Sequence, residues 1–152
     1  SCTAIAYDEQ AAEAAMKHIN KTASAVLDTL TEGLAPGESR TIDNSKGNFM
    51  AVHVESISPG LFRVGHYFDQ NGDRIPDPEM LILRIEIDGD RYWLPVETRF
   101  ATGAVYTALA LGETNDVVGV DHRGLADACS FTSVWMRNVK YQQSLKVTRA
   151  AA

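Results

Sequence analysis

The chain has 152 residues, of which 45% are hydrophobic and 22% are charged, and its formal net charge is −6. These values are typical of one globular domain that buries roughly two thirds of its unfolded surface without a metal or disulfides. No apolar run approaches the ~20 residues of a membrane-spanning helix. Cys2 and Cys129 have neither metal-ligand nor disulfide-framework spacing. Composition therefore excludes a helical membrane protein and a disulfide-stapled scaffold.

Charge is distributed unevenly along the chain. Between residues 69 and 90, seven acidic side chains stand against two arginines, a net charge of −5, whereas residues 131–152 carry four basic side chains and no acidic one. We interpret the first as a solvated segment and the second as the basic end of a helix. An acidic protein without a basic patch interleaved with aromatic residues is a poor nucleic-acid ligand. We therefore expect no direct nucleic-acid binding.

The N-terminal part of the chain predicts two helices. An alanine-rich stretch opened by Asp8 and Glu9 favours a first helix, and residues 1–20 are assigned to an N-terminal helical extension. A second helix is predicted with Asn20 as its cap and Gly33 at its end. Its apolar stripe, at helical spacing, consists of Ala23, Val26, Leu27, Leu30 and Leu34.

From about residue 40 the apolar period changes to two, which predicts β-strands. Their short connections can join only antiparallel neighbours, so the strands form a meander. The predicted strands are residues 40–43, 49–56, 61–68, 80–87 and 92–98, with a further candidate at 104–111.

The C-terminal part predicts a polar loop at residues 112–119 and then a long helix from Leu125 to about Leu145, with Asp121 as a possible cap. A loose tail is expected at residues 147–152. Residues 21–146 are therefore predicted to form a single α+β domain. It contains an antiparallel meander sheet of about five strands, with N-terminal helices and the long C-terminal helix packed on one face.

The segment between the third and fourth predicted strands carries the strongest turn signal. Asn71-Gly72 supplies the positive φ angles of a tight hairpin turn. However, Pro76 and Pro78 cannot donate hydrogen bonds to a central β-ladder. We therefore expect residues 69–79 to form an exposed connection longer than a minimal hairpin.

A calcium loop is the alternative interpretation of this segment. Four oxygen-bearing side chains fall at spacings that calcium loops use: Asp69, Asn71, Asp73 and Asp77. Arg74 occupies the position where an EF-hand needs glycine, and Met80 occupies the position of the bidentate glutamate. We expect the segment to remain free of metal.

His66 has the strand parity of Phe62, Val64 and Phe68. This parity favours a buried, hydrogen-bonded histidine, and a catalytic base at the edge of a pocket is the functional alternative. The four histidines lack zinc-site spacing, and the sequence contains no nucleophile elbow or phosphate-binding glycine loop. We assign no catalytic residue and expect no cofactor.

Two tryptophans are candidates for packing or for binding. Trp93 belongs to a predicted aromatic cluster that forms either part of the core or an exposed binding surface. Trp135 is expected to anchor the last helix to the sheet. Because Trp135 and Met136 are separated by ~100° around a helix, we expect one of them to be exposed at an interface.

Residues 66–73, His-Tyr-Phe-Asp-Gln-Asn-Gly-Asp, followed by Asp-Pro-Glu-Met at 77–80, resemble a motif of an uncharacterised family. Its members are small proteins carried by phages, plasmids and integrative elements. Further similarity lies at residues 42–55, 92–103 and 131–143. The resemblance covers residues 27–145, leaves out the first helix, and implies a genomic setting without implying an activity.

The expected function is that of a cytoplasmic accessory protein of a mobile genetic element that binds another protein or a second copy of itself. The alternatives are an inhibitor of host defence with an acidic surface, a calcium-binding module, and a small hydrolase-like enzyme that uses His66. The candidate binding residues are His66, Asp69, Asn71, Asp73, Asp77, Glu79, Trp93, Trp135 and Arg137.

Overall fold

The computed structural model describes the backbone of residues 2–147 and the side chains of residues 9–147. Within this part of the chain the fold is α+β, as predicted. The elements in chain order are α1 Cys2–Ala15, α2 Lys21–Thr31, β1 Ser39–Ile42, β2 Val52–Ser58, β3 Leu61–Gln70, β4 Asp73–Ile87, β5 Asp90–Arg99, β6 Val105–Thr107, β7 Leu109–Leu111, β8 Val117–Val120 and α3 His122–Gln142.

Six strands form one antiparallel sheet in the order β1-β2-β3-β4-β5-β6, and β7 and β8 form a separate two-stranded sheet. The meander is confirmed, but the expected number of about five strands is too low. The single strand expected at residues 104–111 is divided at Ala108, whose backbone N–H donates to the Val96 carbonyl at 2.8 Å. The loop expected at residues 112–119 is also shorter, because Val117 is buried and begins β8.

Helices α2 and α3 begin at the predicted caps. The Asn20 side chain accepts a hydrogen bond from the Ala23 N–H at 2.8 Å, and the Asp121 side chain accepts one from the Gly124 N–H at 3.0 Å. Both contacts satisfy N–H groups that a helix cannot pair internally. The first helix starts at Cys2, earlier than the predicted start at Asp8.

The core lies between one face of the large sheet and helices α2 and α3. Trp93 is fully buried there against Phe62, with ring centroids 5.5 Å apart. Its indole N–H donates to the Asp28 carboxylate on α2 at 2.9 Å. Trp135 and Met136 are both buried, at 7% and 0% exposure, so the expectation that one of them is exposed was wrong.

The connection between β3 and β4 differs from the prediction. Asn71 and Gly72, with φ angles of 52° and 84°, form a tight two-residue turn, and the strands pair from Gln70 and Asp73 onward. The acidic segment is therefore strand rather than an extended loop. The two prolines are tolerated in this strand because β5 pairs with β4 only from Glu79 onward, so Pro76 and Pro78 lie where β4 is an outer strand.

We call residues 66–78 the hairpin arm, because β2 pairs with β3 only up to Gly65. The arm extends the two central strands beyond their neighbours. No helix in the described part of the chain is long and apolar enough to span a membrane. Of the tail expected at residues 147–152, all but Val147 lies outside the described residues.

Candidate functional site

The sequence motif in β3 serves both faces of the sheet. Successive strand residues point to opposite faces, so His66 faces α3 whereas Tyr67 faces away from the helices. His66 is buried at 7% exposure, and Tyr67 is only partly buried. Two candidate sites, one on each face, share this strand.

His66 is hydrogen-bonded at both ring nitrogens. Its Nδ1 lies 3.0 Å from the Ala51 carbonyl oxygen, and its Nε2 lies 2.9 Å from Trp135 Nε1. A carbonyl only accepts and an indole N–H only donates, so these contacts assign the neutral tautomer with the proton on Nδ1. The ring has no free nitrogen with which to act as a base, which weakens the enzymatic alternative.

An open cleft of about 620 Å³ lies beside this pair. Its apolar wall includes Phe49 and Val134, which are both 49% exposed and are among the large exposed hydrophobic residues of the described chain. We define the cleft by its lining residues: Gly47, Asn48, Phe49, Met50, His66, Pro78, Phe131, Val134, Trp135, Asn138 and Gln142.

Buried Gln143 fixes the wall formed by the β1–β2 loop. Its side-chain oxygen accepts a hydrogen bond from the Asn44 N–H at 2.7 Å, and its side-chain nitrogen donates to the Met50 carbonyl at 3.0 Å. The Asn44 side chain donates in return to the Gln143 backbone carbonyl at 3.0 Å. The loop is therefore held against the end of α3, which sets the width of the cleft.

A row of aromatic rings leads from the cleft to the edge strand β6. The centroid distances are 5.9 Å from Trp135 to Phe131, 5.5 Å from Phe131 to Phe100, and 5.9 Å from Phe100 to Tyr106. Such separations are typical of favourable aromatic contacts. Tyr106 is 64% exposed, so the row ends on the surface.

The opposite face of the sheet carries a polar hollow of about 480 Å³. There the Tyr67 hydroxyl donates to Glu79 at 3.0 Å, and Arg63 lies 3.1 Å from the same carboxylate. Burial, together with the negative charge of Glu79 and the hydrogen bond to it, raises the pKa of Tyr67 above its usual range. Tyr67 therefore remains a neutral hydrogen-bond donor.

The predicted calcium ligands do not converge. In the backbone register across the turn, Asp69 lies opposite Arg74 and Gln70 lies opposite Asp73. The side chains of Asp69 and Asp73 therefore leave the hairpin arm on opposite faces. Within the described residues, no cluster of three or more His, Cys, Asp or Glu side chains is arranged to hold a metal ion. Asn71 occupies the turn itself, and Asp77 lies on the exposed strand.

The acidic segment is also not a single surface. Asp73 begins the 15-residue strand β4 and Asp88 directly follows its last residue, Ile87, so at ~3.3 Å per residue the two acids lie at strand ends roughly 45 Å apart. Glu79, between these ends, is paired with Arg63. The negative charge is thus divided between separate surfaces, which weakens the alternative of a host-defence inhibitor with an acidic surface.

The remaining candidates have different surroundings. Trp93 is buried beneath α2 and has no surface with which to contact another molecule. Arg137 is exposed on α3, next to Asn138 of the cleft. Sequence reasoning missed Phe49 and Tyr67, although the opposite strand parities of His66 and Tyr67 already indicated two faces.

Comparison with protein families gives one match. The family model described as a domain of unknown function (DUF6908) matches residues 16–145. The chain belongs to this DUF6908 family. The match spans α2, all the strands and α3, and begins immediately after α1. The expected relation to an uncharacterised family is therefore confirmed. No curated protein and no solved structure matches the chain.

Proposed function

We propose that this DUF6908 protein binds a segment of another protein in the cleft beside His66 and Trp135. Following the sequence resemblance, the proposed setting is the cytoplasm of a cell that carries a mobile genetic element, with the protein acting as an accessory factor. The observation that carries the proposal is the combination of solvent-exposed apolar walls with uncommitted amide side chains in one cleft.

The apolar part supports an interaction with a large side chain. Phe49 and Val134 are half exposed at the rim, while Phe131 and Trp135 form an aromatic wall below them. Binding interfaces combine an apolar centre with a polar rim, and aromatic residues are enriched at their centres. An aromatic or large aliphatic side chain of the partner would remove these surfaces from water.

The polar part supports a peptide rather than a purely apolar ligand. Within the described residues, the side-chain amides of Asn48, Asn138 and Gln142 form no hydrogen bonds, although all three line the cleft. Each amide can donate and accept. They can therefore pair with the backbone N–H and C=O groups of an extended segment while its side chain enters the cleft.

Site-specific photo-crosslinking tests this proposal. A photoreactive phenylalanine analogue at Val134 should capture the partner in host cells, whereas the same analogue at Val118 should not. Val118 is a matched control because it is 53% exposed but lies on β8, outside the cleft. Mass spectrometry of the adduct identifies the partner or shows a second copy of this chain.

The captured protein is then purified and its affinity is measured. Val134→Asp should weaken binding by about tenfold or more, because a charge would be buried against the aromatic wall, whereas Val118→Asp should leave it unchanged. Equal crosslinking at both positions, or equal affinity of the two variants, would contradict the proposed docking surface. Crosslinking between copies alone would replace a foreign partner with self-association.

A further inference from the structure

The polar hollow on the helix-free face of the sheet contains a separate constellation that does not belong to the cleft. We define this hollow by His53, Glu55, Arg63, Tyr67, Arg74 and Glu79, which come from β2, β3 and β4. Its volume is about 480 Å³. The constellation combines cationic and neutral donors with two carboxylates that are already paired.

Gly65 makes room for the ring at the centre of the hollow. A Cβ atom at this position would lie 2.8 Å from the Tyr67 hydroxyl oxygen and 2.9 Å from the ring carbon that bears it. Tyr67 therefore folds back over the glycine, and its hydroxyl reaches Glu79 at 3.0 Å. The ring is held between its own strand and the neighbouring strand.

Arg74 lies on this ring, with its guanidinium carbon 3.9 Å from the centroid of Tyr67. A stacked guanidinium uses its flat face for the aromatic contact, and its N–H groups remain available at the edge. Among the described residues, Arg74 forms no ion pair and no side-chain hydrogen bond. Its edge matches the paired oxygens of a carboxylate or phosphate group.

His53 contributes a second donor beside Tyr67. The two ring centroids are 5.5 Å apart, and His53 Nδ1 lies 3.0 Å from the Thr41 hydroxyl. When Thr41 donates to Nδ1, the neutral imidazole carries its proton on Nε2, which has no partner among the described residues. Desolvation, followed by the positive charge of Arg74, lowers the pKa of His53, so this neutral form prevails at pH 7.

The carboxylates of the hollow do not neutralise Arg74, because they are engaged by Arg63. Arg63 lies 2.8 Å from Glu55 and 3.1 Å from Glu79, and Glu79 also accepts the Tyr67 hydroxyl hydrogen bond. Arg40, a further cation at the margin of the hollow, donates to the Leu30 carbonyl at 3.0 Å. Arg74 and His53 therefore remain as the uncommitted donors.

We propose that the hollow binds a small oxyanion, a phosphate or carboxylate group, between the guanidinium edge of Arg74 and the imidazole N–H of His53. Tyr67 acts as the stacking platform that orients Arg74. Inorganic phosphate and acetate are the probes, since both present paired oxygens but only phosphate can carry two charges. This site is independent of the cleft, because it lies on the other face of the sheet.

Titration of the isotope-labelled protein with each anion at constant ionic strength tests the site by nuclear magnetic resonance. The side-chain signals of Arg74 and His53 should shift in a saturable manner within the millimolar range. Arg74→Gln should weaken binding by about tenfold or more, because a charge-assisted, two-oxygen contact is lost. Arg123→Gln, which removes the same charge from an exposed arginine on α3, should leave binding unchanged.

A second variant tests the orientation of Arg74 without changing any charge. Gly65→Ala forces the Tyr67 ring away from its position, so it should also weaken binding, while a retained amide spectrum would report an intact fold. Shifts that fail to saturate, or equal losses in Arg74→Gln and Arg123→Gln, would overturn the site. Stronger binding of phosphate than of acetate would assign a doubly charged ligand, and the reverse order would assign a carboxylate.

Discussion

The hydrogen bond between Trp135 and His66 offers the sharpest test of how α3 is joined to the sheet. Trp135→Phe keeps an aromatic ring in the core but removes the N–H that lies 2.9 Å from His66 Nε2. The acceptor is then left in a residue that is only 7% exposed. An orphaned buried acceptor costs about 1–3 kcal/mol, and the smaller ring adds a packing loss.

We therefore expect Trp135→Phe to lower the free energy of unfolding by about 2–3 kcal/mol, compared with about 3–5 kcal/mol for Trp135→Ala. With a urea m-value of about 2 kcal/mol/M, the phenylalanine variant should unfold at a midpoint about 1–1.5 M lower. Urea unfolding followed by far-ultraviolet circular dichroism measures this shift without relying on tryptophan fluorescence.

A double-mutant cycle separates the hydrogen bond from packing. His66→Leu removes the acceptor, so adding Trp135→Phe to it should cost about 1–2 kcal/mol less than in the native background. Both variants that carry His66→Leu lose the His66 contact to Ala51, so the free energy of that contact cancels from the coupling energy. Additivity within about 0.5 kcal/mol would refute the reasoning, because it would mean that the indole N–H contributes nothing through His66.

Two further predictions concern α3 and its end. Gln143→Leu should lower the free energy of unfolding by about 2–4 kcal/mol, because the Asn44 N–H and the Met50 carbonyl lose their partner. Hydrogen exchange at residues 44–50 should accelerate. Unchanged exchange there would contradict the conclusion that Gln143 holds the β1–β2 loop against α3. Burial raises the pKa of Cys129 to about 12, so in a Cys2→Ser variant a thiol reagent at pH 8 should label the unfolded protein much faster than the folded one. Rapid labelling of the folded protein would contradict the burial of Cys129. Since the folded thiol holds its proton more tightly, the contribution of Cys129 to stability is complete below about pH 9 and is lost as the pH rises towards 12.

Much of the fold could be predicted from the sequence because it depends on local patterns. Asn20 and Asp121 cap their helices through side-chain contacts to the backbone three residues onward. The period-two pattern predicted the strands, and their short connections correctly predicted the antiparallel meander. The hairpin arm could not be predicted in the same way. Whether Pro76 interrupts a ladder depends on where β5 ends, and that boundary is a property of the assembled sheet.

The candidate sites depend on contacts that local patterns do not encode. Strand parity correctly favoured a buried His66, but its partner Trp135 is 69 residues away in sequence. Likewise, Tyr67 and Glu79 meet because Glu79 pairs with Gly65 in the register of β3 and β4, and the Tyr67 ring folds back over that glycine. A change of one residue in that register would send a side chain to the other face, so the site follows from the sheet rather than from the motif.

The adjacency of His66 and Tyr67 explains how one short motif can serve two surfaces. On a strand, neighbouring side chains leave the backbone in opposite directions, so His66 supports the cleft through Trp135 while Tyr67 supports the hollow through Arg74. A variant that unfolds the hairpin arm would abolish both binding activities. In contrast, Trp135→Phe should impair the cleft and spare oxyanion binding, and Arg74→Gln should do the reverse, which makes the two proposed sites separable by experiment.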